Sequence, residues 1–533
     1  MKTIIVGGVA GGASAAARLR RLDEHHEIIM FERGEHISFA NCGLPYYIGG
    51  VIEDRDDLFV TSKEKMQNRF NIDVRNKSEV LRVDKESKLV FVRDLESGEE
   101  YSETYDKLIL SPGANPIKPN FKGIEEQTVF TLRNIKDTDA IYGFIEEKSP
   151  KTVAVIGGGF IGVEVAENLI HKGLDVHLVD MANQVMAPFD FEMAQFLHEE
   201  MINEGVKLYL GEAVQSFNKT SVITDKSVID ADFVVMAIGV KGETTLAESA
   251  GLEINRNIVV NRNFQTTDKD IYAIGDAIEV KNFITKNATI IPLAWPANRM
   301  GRLVADHIMG KQIHYPGTLG TSVAKIFNLT AASTGLNEKN IDGEYNTLYV
   351  NKNNHAGYYP GADEIDLKVI YNPTTKEILG AQAIGKDGVE KRIDVIATAI
   401  RFGAKVDELA EIEVAYAPPY NSAKDLVNIA GYIADNQLNG YEFINWNQIS
   451  DEFLLDVRTE EEFLSGHVEG SVNYDVDYLR NHIDMIPKDK EVVIACQVGQ
   501  RAHVAASMLK AHGFNVKNLN GGYNIYKQAN YKW

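Results

Sequence analysis

The chain has 533 residues, 44% hydrophobic and 25% charged, enough for three or four soluble domains with separate cores. Its 76 acidic against 55 basic residues give a net charge of −21, which argues against nucleic acid or an anionic membrane as main partner. Two cysteines exclude a disulfide framework, so a reducing, cytoplasmic setting is expected.

A strand is expected at once, over residues 4–6, leaving no room for a signal peptide. No apolar run approaches a membrane span. Gly7, Gly8, Gly11 and Gly12 then form a turn, residues 13–22 a helix, and residues 27–31 a strand that delivers Glu32. This is the βαβ unit of a dinucleotide site. Glycines let backbone approach a pyrophosphate, the helix start faces its charge, and the acid bonds a ribose hydroxyl. Val9 takes the middle glycine position, so the match is incomplete.

Next comes Ser38-Phe39-Ala40-Asn41-Cys42-Gly43-Leu44-Pro45. A lone cysteine followed by glycine, where a cysteine pair would form an internal disulfide, suits a thiolate that cycles through a mixed disulfide, persulfide or sulfenate with an outside molecule. A buried small hydrophobe is the alternative.

The βαβ unit repeats with the strict spacing at Gly157, Gly159 and Gly162, followed by a helix over residues 163–171 and a strand ending at Asp180. Met181 and Ala182 follow with no arginine, which favours NADH over NADPH, because Asp180 repels a 2′-phosphate. Apolar strands ending at Gly113 and Gly239 close the two nucleotide halves, and Gly275-Asp276 follows a third strand, ahead of an expected helix. Asp276 is placed either to bond a ribityl or pyrophosphate-side group or to act as a plain cap.

From residue 321 alternating strands and a helix over 389–402 mark a separate α+β unit, whose 415–420 loop carries Tyr416 and Tyr420. A polar, turn-rich stretch reads as a linker over 439–446. The last α/β domain, 447–533, has a strand at 453–456 and a buried strand at 492–495. The latter opens into Cys496-Gln497-Val498-Gly499-Gln500-Arg501 and a helix. Backbone N–H groups and a helix start stabilise a thiolate in such a loop.

On the paired nucleotide units, Gly275-Asp276 and Ser38–Gly43, residues 1–438 resemble the flavin-dependent pyridine nucleotide–disulfide oxidoreductases. Within them they resemble the single-cysteine branch of coenzyme A disulfide reductases, NADH oxidases and NADH peroxidases. Asp456-Val457-Arg458, Gly466-His467-Val468-Glu469-Gly470 and the Cys496–Arg501 loop resemble a rhodanese domain, and the combination resembles the coenzyme A disulfide reductase–rhodanese fusions, or NADH-dependent persulfide reductases. The resemblance implies an α/β architecture. FAD-binding parts occupy 1–120 and 246–320, an NADH-binding domain 121–245, an α+β dimerisation domain 321–438 and the rhodanese the C-terminus. Ala10 stands where the oxidases and peroxidases carry a histidine, which favours the reductases.

The resemblance also implies roles. Cys42 is the redox thiol, its pKa lowered by the flavin and an adjacent helix terminus. Cys496 is a persulfide carrier, with Arg501 either orienting an anionic donor or capping the loop. Ser14, Arg18 and Arg21 share a helix face suited to coenzyme A phosphates; solvated surface arginines are the alternative. Ser38, Asn41, Asn298 and Lys424 are further coenzyme A contacts. Tyr416 is the first choice, with Tyr358, Tyr359 and Tyr420 behind it, for the tyrosines that family members donate across a homodimer. Asp456 and Arg458 are read as a structural pair and His467 as a packed core group. The partners expected are small sulfur compounds, and no metal is expected. The rival readings are an NADH oxidase or peroxidase cycling Cys42 through sulfenic acid, and a slow sulfur or redox sensor.

Overall fold

The computed structural model describes residues 1–532, in two compact units. The first comprises residues 1–183 and 205–320, the second 184–204 and everything from 321.

The first unit holds two parallel five-stranded sheets. One runs Ile271–Ala273, Lys107–Leu110, Lys2–Val6, Glu27–Phe31, Asp73–Arg75. The other runs Lys207–Leu210, Asp175–Asp180, Thr152–Ile156, Phe233–Met236, Val129–Thr131. Their central strands are apolar and buried on both faces, as helices on both sides of a parallel sheet require. In each, the central strand is flanked by strands reached through opposite crossovers, and the Gly-rich turn leaves it at that switch point. The following helices begin earlier than expected, at Ala10 and Phe160, so Gly11, Gly12 and Gly162 lie inside first turns.

Gly275-Asp276 opens only a single 3₁₀ turn, Gly275–Ala277, and not a helix. The long helix Ala294–Ile308 comes later and packs on Ala10–Leu22, with Arg18 paired to Asp306 at 2.7 Å.

The second unit contains an antiparallel sheet ordered Ser322–Ile326, Leu329–Gly335, Ile378–Gly385, Glu364–Tyr371, Asn346–Asn353. It also contains the helix Phe191–Asn203, which sequence order assigned to the NADH-binding domain. Buried Lys368 explains this. Its ammonium contacts Asp190 at 2.8 Å, Glu192 at 2.5 Å, and Glu338, fixing the inserted segment to the sheet.

The C-terminal sheet is parallel, ordered Glu442–Ile444, Val516–Leu519, Val492–Ala495, Phe453–Asp456, Val472–Asn473. Its edge strand Glu442–Ile444 lies within the stretch read as a linker, and the preceding helix Leu426–Leu438 runs to the edge of that stretch. Among the described residues no helix is long and apolar enough to cross a membrane.

Candidate active site

The two Gly-rich loops are built alike. Gly7 and Gly157 take φ of +98° and +109°, and a Cβ at Gly12 or Gly162 would lie 1.8 Å from the carbonyl oxygen of Gly7 or Gly157. Helix start and loop are thus in direct contact. Glu32 Oε2 accepts from Gly8 N–H at 2.9 Å, and Asp180 Oδ2 from Gly158 N–H at 2.6 Å, which pins each acid beside its loop. Neither helix has a side-chain N-cap, so first-turn N–H groups stay available to a phosphate. At Gly159 a Cβ would meet nothing within 4 Å, leaving open ground where a pyrophosphate approaches. These residues fit two dinucleotides.

Cys42 sits in the 3₁₀ turn Asn41–Gly43, just before the six-residue helix Leu44–Gly49. Ser38, at φ +49°, donates its backbone N–H to Gly8 O at 3.0 Å, tying this segment to the first Gly-rich loop. The cysteine is exposed, yet crowding around its sulfur pushes the thiol up, Glu164 and Asp276 add to that, and only Arg133 opposes. The polypeptide by itself therefore raises this thiol, so any lowering would have to come from a bound cofactor. Burial pushes Glu164 to about 7, with Glu167 adding and a hydrogen bond from Tyr46 opposing. Arg133 donates through Nε to Ala114 O at 2.8 Å and lies 3.4 Å from Asp276. Burial also holds the Asp276 carboxyl above its ordinary value.

Cys496 lies at the end of Val492–Ala495 and is buried; Gly499 N–H donates to its Sγ at 3.1 Å. Gly499 takes φ +99°, which turns that N–H inward. Arg458 is fully buried against Asp456, at 2.7 Å, and donates to Gln497 Oε1 at 3.2 Å, so the pair is structural as expected and supports the loop from below. Both prongs of Arg501 are engaged by Glu462, at 2.7 and 2.6 Å, the arrangement of a loop tie. His467 is not a core group: it is exposed and stacked on Phe463 at 3.9 Å.

Residues 1–301 match the family described as pyridine nucleotide-disulphide oxidoreductase. The chain belongs to that family. Residues 321–426 match the dimerisation domain of the pyridine nucleotide-disulphide oxidoreductases, and residues 441–529 a rhodanese-like domain. The coenzyme A disulfide reductase of Staphylococcus haemolyticus is 38% identical over 439 residues, 81% of this chain and 99% of that protein. The reduced Bacillus anthracis CoADR-RHD structure is 52% identical, with a TM-score of 0.97 over 99% of this chain and 98% of that one. A NAD-dependent persulfide reductase from A. fulgidus is 35% identical, with a TM-score of 0.93 over 99% of this chain and all of that one (100%). Membership in the oxidoreductase family implies use of FAD and NAD(H), which the two cradles fit.

Of the coenzyme A residues expected in this pyridine nucleotide-disulphide oxidoreductase, Ser14 donates to Asn298 Oδ1 at 2.6 Å, so these two are side by side. Arg18 is held by Asp306, whereas Arg21 is exposed and has no partner among the described residues. Asn41 makes a long contact to Arg133 O at 3.5 Å, and Lys424 is exposed. Tyr358 and Tyr416 meet hydroxyl to hydroxyl at 3.2 Å, both exposed, because Ala356 N–H donates to Pro418 O and clasps their two loops. Tyr420 is exposed, and Tyr359 packs edge-on against His355. Sequence reasoning missed Glu164, Tyr46 and Arg133. Glu164 and Glu167, two acids in a helix otherwise rich in Ile and Val, were the available signal.

Proposed function

We propose that this enzyme reduces coenzyme A persulfide or polysulfide and coenzyme A disulfide with NADH, through Cys42. The observation that carries the reading is one accessible cysteine tied to the first of two dinucleotide cradles, in a chain with a second cysteine in a strand-to-helix loop. Gly7, Gly8, Gly12 and Glu32, with Gly113, Gly275 and Asp276, would hold FAD. Gly157, Gly159, Gly162, Asp180 and Gly239 would hold NADH. Bound there, the flavin supplies the two electrons of NADH to sulfur. The Cys42 thiolate displaces a coenzyme A thiolate from the substrate disulfide, and one S–S bond replaces another as a mixed disulfide. Arg21, Arg18, Ser14, Asn298, Ser38, Asn41 and Lys424 would contact coenzyme A, and Tyr416 with Tyr358 would serve the site across a homodimer. Asp180, with no arginine after it, supports NADH over NADPH. Cys496 would carry sulfane sulfur.

The test is anaerobic NADH oxidation with coenzyme A persulfide, coenzyme A disulfide and peroxide in parallel, on the parent, Cys42→Ser and Cys496→Ser. Turnover on sulfur substrates that vanishes in Cys42→Ser is expected. Turnover on peroxide alone would replace this reading with a peroxidase, and no turnover on any of them would leave a sensor.

A further inference from the structure

Within the second unit, the rhodanese-like domain meets the antiparallel sheet through buried Asn520 and half-buried Asn524. Asn520 Nδ2 donates to Thr347 O and to Asn445 Oδ1, both at 2.9 Å. Four residues on, Asn524 Nδ2 donates to Asp366 Oδ1 at 2.8 Å, and Asn351 Nδ2 reaches the same oxygen at 3.0 Å. Asp366 lies in the strand Glu364–Tyr371 and is buried.

The backbone of the same turn runs beneath the Cys496 loop. Tyr523 N–H donates to Cys496 O at 2.8 Å, and Asn524 N–H to Gln497 O at 3.0 Å. The approach is tight: a Cβ at Gly522 would lie 2.5 Å from Cys496 O. Asn524 therefore grips a buried carboxyl of one domain with its side chain and the cysteine loop of the next with its backbone. A carboxyl buried on amides alone is a costly group to keep. Burial pushes Asp366 up to about 7, with Glu364 adding and the two asparagines opposing.

We propose that Asp366 is a positioning residue for Cys496. By fixing Asn524 it seats the first turn of the Gly522–Ala529 helix against the loop, and so sets the geometry in which Gly499 N–H reaches Sγ. Reactivity of the C-terminal cysteine is then set partly by the neighbouring domain. The inference rests on the reading of Cys496 as a sulfur carrier.

The test uses the full chain with Cys42→Ser, which leaves Cys496 as its one thiol, and inorganic tetrasulfide as probe. The Cys496 thiolate takes a terminal sulfur; one S–S bond forms as another breaks, and trisulfide leaves with the electron pair. Intact mass follows the gain of one sulfur atom. Asn524→Ala and Asp366→Ala should each slow loading about tenfold, the effect of losing one hydrogen bond to a carboxyl. The double variant should be no slower than either single, because both remove the same contact. Asp366→Asn, which keeps an oxygen acceptor in the same place, should load within about twofold of the parent. Asn524→Ala loading at the parent's rate, or losses that multiply in the double variant, would overturn the proposal. A parent that never gains sulfur would instead bring down the carrier reading itself, and this proposal with it.

Discussion

At Cys42 the surroundings oppose the chemistry asked of the sulfur, and the largest charge effect comes from Glu164, on a helix more than a hundred residues away in sequence. A negative charge beside a thiol disfavours the thiolate, so removing it in Glu164→Gln should lower the pH at which Cys42 reacts. In a Cys496→Ser background, iodoacetamide should modify Cys42 about threefold faster near pH 8 with Glu164→Gln than with Glu164 in place. Near pH 6 the two should react alike, because Glu164, at about 7, is then largely neutral. Equal rates near pH 8 would remove Glu164 from the account. Arg133→Met should act in the opposite direction, since the Arg133 guanidinium favours the thiolate.

At the scale of the element, Gly159 and Gly162 separate what the fold needs from what a ligand needs. Alanine at Gly162 places a Cβ 1.8 Å from a backbone oxygen that cannot move without shifting the loop, so Gly162→Ala should destabilise the chain by about 2–3 kcal/mol. Alanine at Gly159 meets open space, and stability should change by no more than about 0.5 kcal/mol. Its methyl group occupies the approach to a pyrophosphate, so the KM for NADH should rise about tenfold or more while flavin content is unchanged. Thermal melts and steady-state kinetics on the two variants check both statements. These loops were legible in the sequence because glycine spacing and apolar strands are local signals. The strands Phe453–Asp456 and Val492–Ala495 and the helix Val389–Phe402 coincide residue for residue with expectation. The misses have physical causes. Glycines disguised two helix starts, and polar turn residues hid the edge strand Glu442–Ile444. Asp276 meets Arg133, and Asp366 meets Asn524, only after long loops of chain have closed.

On the scale of the molecule, sequence order and structural membership part at residues 184–204, and Lys368 marks where. Despite full burial its ammonium is held well above its ordinary value, by Tyr349 and by three carboxylates. Lys368→Met would strand those acids and should cost about 3–5 kcal/mol, measured by denaturant unfolding. Asp366, buried in the same unit, has no such cation, and its effect on stability falls in a much lower pH window than that of Lys368. A carboxyl raised to about 7 in the folded chain, against about 4 when unfolded, prefers to stay protonated in the fold. Its contribution is therefore fully present below about pH 4, declines as pH rises, and levels off above about 7. Asp366→Asn carries no charge yet retains an acceptor for Asn351 and Asn524. Its melting temperature should match the parent's near pH 4 and exceed it by several degrees near pH 8. Equal melting temperatures at both values would mean that the carboxylate finds solvent, and that the seat of the C-terminal domain opens without cost.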